Sequence, residues 1–285
     1  MAHLCTTRKC GTCEIFMKFY GFILVGDKMI NNWQSKLDIF LADFEYADDV
    51  VGVLVCGSYI TGNPTSHSDL DVHIVLDNKV EYRERGNKIV DGLLIEYFAN
   101  PSKQILCYFD EDLKDKSLMC QTQFATGKII SDKIGDIRTL KLKAKKMISD
   151  FYSTEHTDLR MSELDKYFLW DMLDDLQDAH ESNKADFDFL YFTRLNMLLE
   201  KYMNSINRPY NVKSIYGSIV DATVREKYLL RELPNQAINN MIICAISTTV
   251  QNEKMAAYEK LTAEIMKQVG GFTIDGFKLK SQVIG

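Results

Sequence analysis

Two short runs, VVGVLVC at 50–56 and LDVHIVL at 70–76, set the tightest limits on how this chain can fold. Both are dense in β-branched residues, neither shows a helical period, and the Gly, Asn, Pro and Ser of GSYITGNPTSHS lie between them. That combination predicts two buried strands joined by a turn and loop. The second strand opens on Asp69 and Asp71. Alternation along a strand points both side chains to one face, about 7 Å apart at the usual rise per residue. Two carboxylates held so close require a cation between them, or one of them must take up a proton.

The rest of the chain gives these strands a setting. Trp33, Leu37, Phe40 and Leu41 recur at helical spacing, which predicts a helix over 31–44. KIVDGLLIEYFANP (88–101) predicts one or two further strands closed at Pro101. From about 102 onward helical periodicity dominates, over 102–113, 136–152, 161–182, 186–205, 221–231 and 235–268. The expected fold class is α+β: an N-terminal extension at 1–28, a mixed sheet with helices over 29–130, and a C-terminal helical bundle over 131–285. Only four prolines and no Ser- or Gly-rich tract interrupt the chain, so the two domains are expected to pack closely and leave a cleft.

With 285 residues, 46% hydrophobic and 26% charged, the chain can bury a sizeable core. Its formal net charge of −6 argues against a nucleic-acid backbone as main partner, because phosphate contacts need clustered Lys and Arg. The basic run KLKAKK (141–146) reads as the exposed side of a helix. No apolar run approaches the roughly 18 to 20 residues needed to cross a bilayer. FYGFILV (19–25) lacks the long apolar core and cleavage site of a secretory signal, and Met17 and Met29 each offer an alternative start. Seven cysteines form no disulfide framework. His3, Cys5, Cys10 and Cys13 invite a zinc reading, but no second ligand pair accompanies them. A reducing cytoplasmic location is therefore expected, for a monomer or homodimer.

The chemistry lies in what flanks the two strands. A hard divalent ion such as Mg2+ answers the Asp69–Asp71 repulsion, since it prefers oxygen ligands and keeps waters and phosphates in its shell. Gly57-Ser58, at the end of the first strand, lets backbone amides approach a phosphate, and Ser58 adds a hydroxyl donor. Glu96, on a later strand, is placed to supply a third carboxylate. Displacement at the α-phosphorus of a nucleoside triphosphate uses such a set.

Gly57-Ser58, ten residues, then Asp69-Leu70-Asp71-Val72, with Glu96 on a later strand, resembles the signature of the DNA polymerase β-like nucleotidyltransferase superfamily. A small α/β domain followed by a helical one is similar to its antibiotic nucleotidyltransferases, the kanamycin, streptomycin and lincosamide group. The motif covers residues 50 to 98; beyond them the likeness is architectural. It implies a Mg2+-dependent enzyme in which Asp69, Asp71 and Glu96 are metal-binding and catalytic. Gly57, Ser58, Ser68 and Lys213 would form the nucleotide-binding set, with ATP or another nucleoside triphosphate as substrate.

The implied acceptor is the hydroxyl of a small molecule, an aminoglycoside-type antibiotic among the candidates. On the helix at 161–182, Leu164, Phe168, Asp171, Asp175 and Asp178 share one stripe. Such a stripe either binds a cationic acceptor or is a solvated face paired with lysines such as Lys166 and Lys184. Two further readings stand beside the first. One is a nucleotidyltransferase acting on a macromolecule such as transfer RNA or a protein. The other is a catalytically silent binding or scaffold protein, which an idle and mutually repelling trio of carboxylates argues against.

Overall fold

The computed structural model describes residues 32–62, 64–154, 159–280 and 282. The cysteine-rich and apolar segments before residue 32 lie outside them. Helix α1 (Trp33–Ala42) precedes strand β1 (Val50–Cys56), the short helix α2 (Ser58–Thr61) and β2 (Leu70–Leu76). Strands β3 (Glu84–Val90) and β4 (Leu93–Pro101) form a hairpin, and helices α3 (Ser102–Lys114) and α4 (Met119–Thr126) lead into β5 (Lys128–Asp132). The five strands make one mixed sheet in the order β3-β4-β2-β1-β5. All pairings are antiparallel except β2 with β4, which is parallel.

Position in that order explains the composition of each strand. β1 is buried along its whole length and β2 nearly so, because the central strands of a sheet covered on both faces meet no water. Leu70, Val72, Ile74 and Leu76 share a hydrophobic cluster with Trp33, Leu37 and Phe40 of α1 and with Val53, Val55 and Ile95. The alternate residues, Asp71 and His73, take the opposite face. β2 thus shows a hydrophobic side to α1 and a side that begins acidic and then becomes buried.

The chain forms two compact units. One comprises the described residues through Cys107 together with Gln123–Lys143 and contains the sheet; the other comprises Tyr108–Thr122 and Ala144 onward. The chain passes between them three times, and β5 covers the position near 130 where the sequence suggests a single boundary.

The second unit is helical. Helix α5 (Asp136–Ser153) continues into it, and it holds α6 (Glu163–Glu181), α7 (Phe187–Ser205), α8 (Ile215–Val220), α9 (Ala222–Tyr228), α10 (Gln236–Ser247) and α11 (Gln251–Gln268). Leu169, Met172, Leu176 and Ala179 of α6 meet Tyr191, Leu198 and Tyr202 of α7 and Tyr258 and Leu261 of α11 in one core. The continuous helix expected over 235–268 is broken at Thr248-Thr249-Val250, where a β-branched run leaves the helical conformation and the Thr248 hydroxyl donates to Glu253 in the first turn of the next helix.

The acidic stripe of α6 does not lie on its core face. Phe168 is exposed, Asp175 pairs with Arg194 at 2.6 Å, and Asp178 pairs with Lys184 at 2.5 Å. The paired, solvated reading describes it. In the basic run at 141–146, Lys143, Lys145 and Lys146 are exposed, while half-buried Lys141 donates its ammonium to the carbonyls of Ala125 and Gly127 at the end of α4. Among the described residues no helix is long and apolar enough to cross a membrane.

One close approach ties the β3–β4 hairpin to α1. A Cβ on Gly86 would stand 2.5 Å from the Tyr97 hydroxyl oxygen and 2.6 Å from its ring. The Tyr97 hydroxyl donates to Glu84, and its ring packs 5.1 Å from Phe40 and 5.8 Å from Phe44. Moving the ring would disturb its packing on Phe40 and Phe44 and its bond to Glu84, so Gly86→Ala is expected to destabilise the sheet unit by about 1–3 kcal/mol, the usual cost of overpacking. Denaturant unfolding checks this, and an unchanged midpoint contradicts it.

Candidate functional site

Strand register brings the acidic residues together. In the β2–β4 pairing Asp71 lies beside Glu96 and His73 beside Phe98. On the far side of β2, Cys56 of β1 pairs with Asp71; on the far side of β4, Asn87 of β3 pairs with Glu96. Asp69 sits one residue before β2 begins. Asp69, Asp71 and Glu96 each offer one carboxylate oxygen, and these oxygens lie within 4.8 Å of one another. All three side chains are half-buried, so water reaches them while the sheet limits their movement. This is the one cluster among the described residues able to hold a metal ion, and its all-oxygen donor set fits a hard divalent cation.

The Gly57-Ser58 elbow touches this cluster directly. Gly57 has φ +73°, a backbone conformation that favours glycine, and a Cβ there would meet the Asp71 Oδ2 at 2.0 Å. Its carbonyl accepts the amides of Ile60 and Thr61 and the Thr61 hydroxyl, each at 3.1 Å. Those bonds wind α2 immediately behind β1, with half-exposed Ser58 as its first residue.

Ser68 acts one step before the cluster. Its hydroxyl accepts the Thr65 amide at 2.8 Å while its own amide donates to the Thr65 carbonyl, closing a turn that delivers the chain to Asp69. Tyr59 of α2 is held protonated beside Asp69: partial burial, then the Asp69 charge, raise its phenol above the usual range. Lys213 belongs to the helical unit, where it is exposed and its backbone amide donates to Asn211 at 2.8 Å.

One feature of the cluster, Arg85, carries no sequence signal of its own. Arg85 of β3 reaches Glu96 with Nη2 at 2.6 Å and Nε at 3.2 Å from the same Oε1. The hydrogen bond, and then the charge of Glu96, hold the guanidinium still more firmly protonated. The first half of β3 is exposed and polar, so EYRERGN reads as a connection, and without the strand register Arg85 has no visible partner. His73 lies behind Asp71, buried between Phe98 and Phe124, with Nε2 3.2 Å from Gln123 Oε1. Burial lowers its pKa to about 4, so at neutral pH it packs the floor of the cluster as an uncharged ring.

With this geometry in place the comparison with known proteins is specific. Residues 37–118 match the family model of the nucleotidyltransferase domain, a span that includes the elbow, all three carboxylates and Arg85. This chain carries a nucleotidyltransferase domain. It is accordingly a nucleotidyltransferase enzyme with a mixed sheet and a helical C-terminal region. No curated protein matches the chain. Among solved structures, a nucleotidyltransferase-like protein from Exiguobacterium sibiricum 255-15 aligns with a TM-score of 0.39 at 10% identity, over 85% of this chain and 77% of that one.

The contact between Gly57 and Asp71 makes a direct prediction for this nucleotidyltransferase domain. Gly57→Ala places a methyl group where the Asp71 oxygen now lies and strains a positive φ. It is expected to cost about 1–3 kcal/mol of stability and to displace Asp71 from the cluster. Unfolding midpoints and a structure of the variant check both; an Asp71 that keeps its place contradicts the close contact.

Proposed function

We propose that this protein transfers a nucleoside monophosphate, AMP from ATP in the first instance, to a hydroxyl group of a small molecule, with Mg2+ held by Asp69, Asp71 and Glu96. The observation that carries this reading is the convergence of three carboxylates from β2, its approach and β4 beside the Gly57 elbow, within a matched nucleotidyltransferase domain. A divalent ion bound there supplies Lewis acidity at the α-phosphate and neutralises charge on the departing group.

The chain's own residues account for the other requirements. Asp69 and Asp71 would hold the ion, and the ion would engage the triphosphate. Gly57 and Ser58 receive its phosphates at the end of β1, where only a residue without a side chain fits against Asp71. Glu96, whose Oε1 is engaged by Arg85, is read as the third ligand. The acceptor oxygen forms a bond to the α-phosphorus and the bond from that phosphorus to the β-bridging oxygen breaks. Pyrophosphate leaves, and the hydroxyl proton passes to a carboxylate base and then to water. A cationic acceptor of the aminoglycoside type suits a chain of net charge −6, and it is the first class to test.

Two measurements test the reading. Incubation with labelled ATP and Mg2+ against a panel of aminoglycosides and lincosamides, with total transfer RNA in parallel, shows which acceptor takes up label. Label on RNA alone overturns the small-molecule acceptor. Asp71→Asn is expected to reduce transfer by about 100-fold or more, since it removes an ionic ligand from the metal set. In the absence of metal the same variant is expected to melt no lower than the wild type, because one of three mutually repelling charges has gone. Full activity in that variant contradicts the metal assignment.

A further inference from the structure

β3 is an edge strand, and from it Arg85 reaches Glu96 of the acidic cluster. Arg85 pairs with Phe98 in the β3–β4 register, so its guanidinium crosses diagonally to Glu96 on the same face. It lies 4.9 Å from the Phe98 ring centroid, and Phe98 itself stacks on buried His73 at 5.3 Å. The Arg85 side chain is 69% exposed and that of Glu96 only 19%. The cation therefore approaches from solvent and grips a carboxylate that is otherwise enclosed.

We propose that Arg85 is the positioning residue for Glu96: braced on Phe98, its guanidinium fixes the Glu96 carboxylate in the orientation that closes the three-carboxylate set around a divalent cation. This rests on the metal reading above. Arg85 directs both Nε and Nη2 at Glu96, so it acts through that carboxylate. Two donors of one planar group meet a single oxygen, Oε1. A carboxylate has lone pairs enough to accept both while its other oxygen ligates a metal.

Two opposite effects follow from a cation in this place, and their sizes decide between them. A positive charge near the cluster repels an incoming dication, but an exposed guanidinium beyond the ligand shell is screened by water and salt to a factor of about three to ten. Losing the hydrogen-bonding partner of a metal ligand lowers metal affinity by about 10- to 100-fold. Orientation outweighs repulsion, and the net effect of removing Arg85 is weaker metal binding. Lysine does not replace the fork, because it supplies a point charge with no planar pair of donors and stacks poorly on Phe98.

The test is Mn2+ binding to the full chain without nucleotide, followed by the electron paramagnetic resonance signal of the free ion. The wild type is expected to bind and Asp71→Asn to lose binding. Arg85→Ala is expected to bind about 10-fold more weakly, with circular dichroism unchanged. Arg85→Lys is expected to remain weak although its charge is kept. Mn2+ affinity in Arg85→Ala equal to or tighter than the wild type overturns the inference, as does full affinity in Arg85→Lys, which reduces Arg85 to a counter-charge. A wild type that binds no Mn2+, or binding untouched by Asp71→Asn, overturns the metal reading and this inference with it. Those two patterns differ from a failure confined to Arg85.

Discussion

The site depends on the mutual repulsion of three carboxylates that a sheet forces together. Parallel pairing of β2 with β4 places Asp71 beside Glu96, and the turn closed by Ser68 brings Asp69 alongside. Nothing in the packing of the sheet asks for that arrangement. The same face of β2 continues immediately with buried His73, and the opposite face is wholly apolar. An acidic start to an otherwise hydrophobic strand is a local cost to folding that a bound cation would relieve. The free protein offsets part of it with Arg85.

That strand also shows how the fold and the site share residues. Leu70, Val72, Ile74 and Leu76 anchor β2 against α1, so the alternate positions have no freedom to shift register. His73 remains uncharged because Phe98 and Phe124 enclose it, and the floor of the cluster therefore adds no competing positive charge. On the β4 side, Tyr97 binds the hairpin to α1 while its neighbours Glu96 and Phe98 face the cluster. Each residue of the site is flanked in sequence by residues that fasten the strand to the core.

Much of this was legible in the chain itself. The β-branched runs announced β1 and β2, the period-two placement of Asp69 and Asp71 announced their common face, and Glu96 stood on a strand bounded by Pro101. The unread parts share a physical cause. β5 and the start of β3 are edge strands with exposed residues, so they lack the apolar signature of buried ones. α4 packs through a mixture of Cys120, Gln121, Phe124 and Ala125, in which no helical apolar period stands out. Arg85 is invisible for a different reason. Its partner lies 11 positions away on a neighbouring strand, and only the register of the hairpin fixes that distance.

The contact between the elbow and Asp71 constrains what can be altered independently in this enzyme. With 2.0 Å between a notional Gly57 Cβ and the carboxylate oxygen, the elbow proposed to meet the triphosphate and the aspartate proposed to hold the ion are a single mechanical part. Under that proposal, efforts to retune nucleobase or acceptor preference would have to work from residues other than Gly57. A library randomised at position 57 would sample displaced Asp71 carboxylates before it sampled new substrates.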